Sequence, residues 1–259
     1  MKLSVIIITK NEASNIQACL ECVAFANEWI IVDSGSTDGT VEIARSLGAT
    51  VIAPPDWPGF GPQKSRALAA AQGEWVLSVD ADERISPALA TEIMAVIAAP
   101  KHQSYAIPRL SNYCGYFIRH SGWYPDYIVR LFLRAEGRFS PDLVHERVVV
   151  TAPSGKLRHP IINYSYPDDE VYLRKLSQYS SLGARQAYDA GKRSGLGKAI
   201  LHAISAFLRS FFFKRGFLDG RAGLMVAIST AESTYHKYFK LMLLSEAAKA
   251  EMLPSTRQQ

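Results

Sequence analysis

The sequence predicts an α/β protein: a largely parallel sheet with helices on both faces, followed by amphipathic helices at the C-terminal end. Three observations carry this. Short apolar runs alternate with helical stretches four times in about a hundred residues, the pattern of right-handed crossovers and a parallel sheet. From His102 to about Tyr164 the pattern changes to short alternating runs, which read as antiparallel strands. From Asp168 onward the periodicity is helical.

Leu3 to Ile8 is an apolar, β-branched first strand, with Thr9-Lys-Asn-Glu12 as its polar loop and Ser14 as the cap of a helix to about Phe25. Trp29 to Val32 is the second strand, followed by the loop Asp33-Ser-Gly-Ser-Thr-Asp-Gly39 and a helix capped by Asp38 or Thr40. Thr50 to Ala53 is a short third strand, and Pro54 to Pro62 a Pro/Gly-rich loop before a helix from about Gln63 to Ala71. Trp75 to Val79 is a fourth strand that runs into Asp80-Ala-Asp82, where alternation points both carboxylates to one side. Ser86-Pro87 opens the next helix, with Pro at its first position. Tyr105–Leu110, Tyr127–Leu133 and Arg147–Val150 are the antiparallel runs. Helices of about Glu170–Ala190 and Ala222–Ala247 flank one in which Lys198, His202, Ser205 and Arg209 share a face.

Composition narrows the class. The chain has 259 residues, 48% of them hydrophobic, enough for a sizeable core. Three cysteines give no disulfide framework and suit a reducing compartment. Cys19-Leu-Glu-Cys22 falls inside a helix and has no second pair, so helix packing is expected there rather than zinc or redox chemistry. The apolar start is too short for a signal peptide, and no stretch is expected to reach the ~20 apolar residues of a spanning helix. Residues 1–155 hold 13 Lys/Arg and 16 Asp/Glu, while residues 156–259 hold 16 and 8. A basic C-terminal part faces anionic lipid or an acidic ligand; no nucleic-acid motif accompanies it.

Ligands on parallel sheets bind at the strands' C-terminal ends, where three loops each carry a carboxylate. Two hard oxygen donors, Asp80 and Asp82, suit a divalent metal that also holds a diphosphate. Thr9, Glu12 and Asp33 can take a base and ribose, and Lys64 and Arg66 can approach the diphosphate or base. Glu146 or Asp126 can take a proton from an acceptor hydroxyl. Trp123 and Tyr124 can stack on an acceptor ring, and Arg130 can hold an acceptor phosphate or pair with a carboxylate of the fold.

Thr9-Lys-Asn-Glu12, Val32-Asp-Ser-Gly-Ser-Thr-Asp-Gly-Thr40, Gly73-Glu-Trp-Val-Leu-Ser-Val-Asp-Ala-Asp-Glu83 and Val144-His-Glu-Arg147 together resemble a family 2 glycosyltransferase of the GT-A fold. The resemblance is greatest to the lipopolysaccharide-core branch of the WaaE/LgtF type. It implies an inverting transfer of a hexose, glucose from UDP-glucose, to an inner-core sugar carried on lipid, with Mg²⁺ or Mn²⁺ as cofactor. It implies a donor site of Thr9, Asn11, Glu12, Asp33, Ser34, Gly35, Lys64, Arg66, Asp80 and Ala81. Asp33 takes the uracil, Thr9 and Glu12 the ribose side, and Asp82 with Asp80 the metal. His145-Glu146 supplies the base, with Asp126 as the second candidate, and His145 joins Trp123, Tyr124 and Arg130 around the acceptor. Relatives carry Arg near the position of Lys64, and the QxxRW motif of processive members is absent, which implies one addition per encounter. The implied organisation is a nucleotide-sugar half over 1–100, an acceptor half over 101–166 and a helical basic region over 167–259. The implied location is cytoplasmic, peripheral on the inner face of the bacterial inner membrane. The helix of residues 199–213 packs on protein or lies in a membrane interface, apolar face down. A Rossmann dehydrogenase is excluded because Thr9–Glu12 holds no glycine. The alternatives are a polyprenyl-phosphate sugar synthase and a non-catalytic nucleotide-binding module on a membrane surface.

Overall fold

The computed structural model describes residues 2–140 and 146–252. The chain divides into two compact units: residues 2–111 with 125–165, and residues 112–124 with 166 onward.

In the first unit β1 (Leu3–Thr9), β2 (Glu28–Asp33), β3 (Thr50–Ile52) and β4 (Trp75–Ser78) are the four apolar runs. They pair in parallel in the order β3-β2-β1-β4. Period-two alternation divides β1 between two cores. Leu3, Val5 and Ile7 pack with Ile16, Cys19 and Leu20 of α1 (Ala13–Cys22), Ala44 of α2 (Thr40–Ser46) and Leu89 and Ile93 of α4 (Pro87–Ala98). Ile6 packs on the other face with Val32, Val76 and Ala67 of α3 (Phe60–Ala70). The sheet is therefore covered on both sides, as a parallel sheet must be.

Beyond β4 the pairing reverses. The short β5 (Glu83–Ile85) follows directly, and β6 (Ser104–Tyr113) comes after α4. β7 (Tyr116–Phe117) precedes β8 (Asp126–Leu133), which lies antiparallel between β4 and β6. β9 (Arg138–Phe139) and β10 (Val148–Val149) form a separate hairpin, and β11 (Gly155–Lys156) and β12 (Ile161–Tyr166) complete the order. The sheet is thus mixed rather than mostly parallel. Tyr105 faces Leu131 while Ala106 faces Val129, so Arg130 is the extra residue of a β-bulge.

Helix starts differ from the sequence reading. Ser14 does not cap α1, whose N-cap is Glu12; the Glu12 side chain makes no capping bond to the backbone and instead accepts Asn15 Nδ2 at 2.9 Å. α3 starts at Phe60, three residues early, on Gly59 at φ 113°. Ser86 does cap α4, accepting from Leu89 N. Cys19 is buried in the core, and burial pushes its thiol well up, away from redox chemistry.

The second unit is helical. α5 (Asp169–Asp189) is capped by Asp168, α6 (Leu196–Leu208) continues as a π-turn over Arg209–Phe213, and a 3₁₀ turn over Gly216–Asp219 leads into α7 (Gly220–Met252). Tyr113, Ile118, Tyr172, Leu176 and Val226 form its core, and Tyr113 and Tyr172 both bond Ser229. Leu196–Phe213 is an 18-residue helical run that is long and apolar enough to cross a membrane, contrary to the expectation that none reaches this length. His202 stacks on Tyr238 of α7 at 4.0 Å. Leu196, Ile200, Leu201, Ile204 and Leu208 face outward, 41% to 69% exposed.

The entry into β4 is tight. Gly73 N donates to Ser4 Oγ at 2.7 Å, and a Cβ on Gly73 would lie 2.7 Å from Ser4 N and 2.9 Å from Lys2 O. Backbone atoms cannot yield as a side chain would, so Gly73→Ala should destabilise by about 1–3 kcal/mol, read as a lower urea midpoint; an unchanged midpoint would show that the β1–β4 edge yields.

Candidate active site

The loops after β1 and β2 interlace. Asp33, 1% exposed, accepts Thr9 Oγ1 (2.8 Å) and Ser36 Oγ (2.5 Å) on one oxygen, and Gly35 N (3.0 Å) and Ser36 N (2.8 Å) on the other. Burial opposes its ionisation, but these four donors outweigh it and hold the carboxyl below its ordinary value. Asn11 N donates to Ser36 Oγ, Thr37 N to Asn11 Oδ1, Glu12 N to Thr40 Oγ1, and Ala13 N to Asp38 Oδ2. Gly35, at φ 84°, makes the left-handed turn that aims its N–H at Asp33. Thr9, Asn11, Glu12, Asp33, Ser34 and Gly35 are therefore one assembly. Gln63, not anticipated from the sequence, joins it: its Nε2 donates to Ser34 Oγ at 3.1 Å.

Charges dominate the other side. Lys64 Nζ lies 2.8 Å from Asp80 Oδ1 and 2.6 Å from Glu146 Oε1, with its side chain 4% exposed. Arg130 NH2 donates to Asp80 Oδ2 at 2.5 Å and to Glu83 Oε1 at 2.8 Å. Asp80 N donates to Glu83 Oε2 at 2.9 Å. One ion-pair chain thus runs Glu146–Lys64–Asp80–Arg130–Glu83. Burial opposes a charge on Asp80, but Arg130 and Lys64 overcome it and hold its carboxyl far below the carboxylate range. Burial pushes the Glu83 carboxyl up to about 7, against the pull of Arg130 and with Asp80 and Asp82 adding to the rise.

Several expectations change. Asp80-Ala81-Asp82 is a turn closed by Glu83 N on Asp80 O at 2.9 Å, so strand alternation does not orient the two carboxylates. Ala81 is buried within it. Arg66 is paired within the fold, through NH2 to both oxygens of Asp56 (2.7 and 2.9 Å) and through NH1 to Gln63 Oε1. Arg130 is 6% exposed and has carboxylate partners of the fold, not an open face for an acceptor. Asp126 pairs with Arg109 at 2.6 Å, outside the chain that holds Glu146. Trp123 and Tyr124 belong to the second unit, where the Trp123 ring packs 5.8 Å from both Tyr113 and Tyr166. His145 lies outside the described residues.

Among the described residues no group of three or more His, Cys, Asp or Glu forms a cation cage. Mg²⁺ and Mn²⁺ sites of phosphate-transfer type need fewer, one or two carboxylates with substrate phosphates completing the shell. Asp80 and Asp82 on one turn fit that requirement.

A parallel edge with a polar loop pair, a carboxylate turn and a second carboxylate held by the same lysine is the layout of an enzyme that moves a group off a nucleotide diphosphate. Residues 4–151 match the model of glycosyl transferase family 2, and the chain belongs to that family, with an α/β fold. An uncharacterized glycosyltransferase of Rickettsia typhi is 33% identical over 257 residues, covering 94% of this chain and 88% of the relative. The lipopolysaccharide core biosynthesis glycosyltransferase LpsC of Rhizobium meliloti is 30% identical over 258 residues, covering 92% and 93%. Among solved structures, glucosyl-3-phosphoglycerate synthase of Mycobacterium tuberculosis aligns over 44% of each chain, at 27% identity and a TM-score of 0.36. S. aureus TarS 1–349 aligns over 98% of this chain and 93% of its own, at 16% and 0.47.

Asp33 has a signature in acid. Its folded carboxyl titrates below the ~3.9 of an unfolded Asp, so the stability it contributes is present above pH ~4 and lost as pH falls through the folded value. Asp33→Asn should flatten the fall of urea midpoints below pH ~4; an unchanged slope would place the acid sensitivity elsewhere.

Proposed function

We propose that the chain transfers a hexose, glucose from UDP-glucose, to an inner-core sugar of lipopolysaccharide, with inversion. The observation that carries the reading is Lys64, whose one nitrogen holds both Asp80 at the end of β4 and Glu146. A donor-side carboxylate and a candidate base therefore converge on one point. The LpsC relative supports a lipopolysaccharide core acceptor.

In this reading Asp33 takes the uracil N–H by releasing one of its hydroxyl donors. Thr9, Asn11 and Glu12 line the ribose side with Ser34 and Gly35. Lys64 meets the diphosphate, and Asp82 with Asp80 holds the divalent metal. When bound, the metal neutralises charge on the departing diphosphate. Glu146, 15% exposed at its side chain, takes the proton of the attacking hydroxyl.

The second unit suits work at a bilayer. Residues 192–221 carry seven Lys/Arg and one acid. The outward apolar face of α6 continues through Phe212 and Phe213, 54% and 82% exposed. Because its other side packs on α7, we read α6 as lying in the interface and not spanning it. In this reading the protein works on the cytoplasmic face of the inner membrane, where it meets the lipid-carried core.

Purified protein should be offered UDP-glucose, UDP-galactose or ADP-heptose, with Mn²⁺ or EDTA, and truncated lipid A–core or polyprenyl phosphate. Metal-dependent transfer from UDP-glucose to the core, abolished by Asp82→Ala, is the expected result. Glu146→Gln should lower kcat by ~10²–10⁴ while UDP binding persists. Transfer to polyprenyl phosphate that survives Glu146→Gln would instead identify a polyprenyl-phosphate sugar synthase, and UDP binding without turnover on either acceptor would identify a binding module.

Leu201→Asp with Ile204→Asp should reduce cosedimentation with phosphatidylglycerol vesicles by at least tenfold at unchanged melting temperature. Retained cosedimentation would remove α6 from the membrane contact.

A further inference from the structure

Asp80 is restrained more closely than a ligand-binding carboxylate needs to be. Arg130 NH2 bonds one of its oxygens and, from the same nitrogen, Glu83 Oε1. The other oxygen of Glu83 takes the N–H of Asp80 itself. The three residues close a ring that fixes both the backbone and the carboxylate of Asp80.

Neither Arg130 nor Glu83 is open to a ligand, at 6% and 0% exposure. Stability does not explain them, because buried ion pairs can often be replaced by apolar residues at no loss. Their placement is also specific. Arg130 reaches the ring from the bulge where β8 skips one partner on β6, and bulges of this kind re-aim a side chain. Glu83 reaches it from the first residue of β5, directly after the Asp80–Asp82 turn.

We propose that Arg130 and Glu83 are positioning residues of the donor site. They hold the backbone and one carboxylate oxygen of Asp80 in place, with Lys64 on the second oxygen, so that metal and diphosphate meet a carboxylate whose orientation is already set when Lys64 turns to the diphosphate. Arg130 acts through Asp80 and touches neither donor nor acceptor. The inference rests on the donor-site reading of Asp80.

The test is calorimetric titration of UDP in Mn²⁺ with the full chain, alongside melting temperatures, for wild type, Arg130→Met, Arg130→Lys, Glu83→Gln, Asp80→Asn and the Asp80→Asn/Arg130→Met pair. Arg130→Met should weaken UDP binding at least tenfold, and Arg130→Lys, which keeps the charge but not the fork, by less. Glu83→Gln should weaken it about threefold or more. In the Asp80→Asn background, Arg130→Met should add less than twofold, because the group it positions is already altered. Additive losses would overturn the proposal by showing that Arg130 meets the ligand directly. A lower melting temperature with unchanged UDP affinity in both Arg130→Lys and Glu83→Gln would reduce the ring to a structural role and overturn it as well. Should Arg130→Met not fold, Arg130→Lys alone and in the Asp80→Asn background carries the same comparison. If wild type does not bind UDP, the donor reading of the site falls and takes this proposal with it; if wild type binds and the variants bind equally, the proposal alone falls.

Discussion

Two cations meet on one carboxylate at the end of β4, and the fold is arranged to bring them there. Lys64 arrives on α3, the crossover between β3 and β4. Arg130 arrives on β8, the antiparallel neighbour of β4. Arg130 reaches Asp80 because β8 runs antiparallel to β4; a parallel neighbour would bring another strand's C-terminal loop, not a mid-strand bulge. The change from parallel to antiparallel pairing at β4 thus adds a buried arginine to an acid that the crossover helix already supplies with a lysine.

The two sides of the site are stabilised differently. On the β1–β2 side, Asp33 is satisfied by two N–H and two O–H donors and faces no cation, so its charge is carried by short local bonds. On the β4 side, three carboxylates and two cations share a chain of ion pairs in which each group depends on its neighbour. Ligand can enter the first by replacing a serine hydroxyl, a small local change. On the proposed reading, a phosphate entering the second would replace a carboxylate on Lys64, an exchange between partners of like charge.

The parallel half was legible in the sequence because each strand is an apolar run closed by a polar loop, and Leu3–Thr9 and Trp75–Ser78 needed no tertiary information. The loops Thr9–Glu12 and Asp33–Gly39 were legible for the same reason: they stand where strand ends must be. β5 was not, because Glu-Arg-Ile is three residues long with no alternation to detect. For Arg130 the sequence left an acceptor phosphate and a carboxylate of the fold both open, because a bulge leaves no mark in the sequence; the structure gives it the carboxylates Asp80 and Glu83. Trp123 was read as a stacking platform, and it packs against Tyr113 and Tyr166, since an aromatic next to Gly and Pro looks the same in either setting. Gln63 escaped notice because a neutral side chain beside a lysine carries no charge signal.

The second unit raises a separate physical question, since its α6 keeps an apolar face outward. A helix that crosses a bilayer needs apolar surface all round or helical partners on its other sides. α6 meets α7 on one side, through a His202–Tyr238 stack and the buried Ala199, and shows Lys198 and Arg209 at its borders. Cations at the edge of an apolar stripe favour the headgroup plane, where their chains extend to phosphates while the stripe enters the acyl boundary. The π-turn at Arg209–Phe213 ends the helix with Phe212 and Phe213 outward and is followed at once by Lys214 and Arg215. Charge at both ends of the stripe would then limit the depth of such a helix in a bilayer, which is what the proposed work on a lipid-carried sugar at the surface would require.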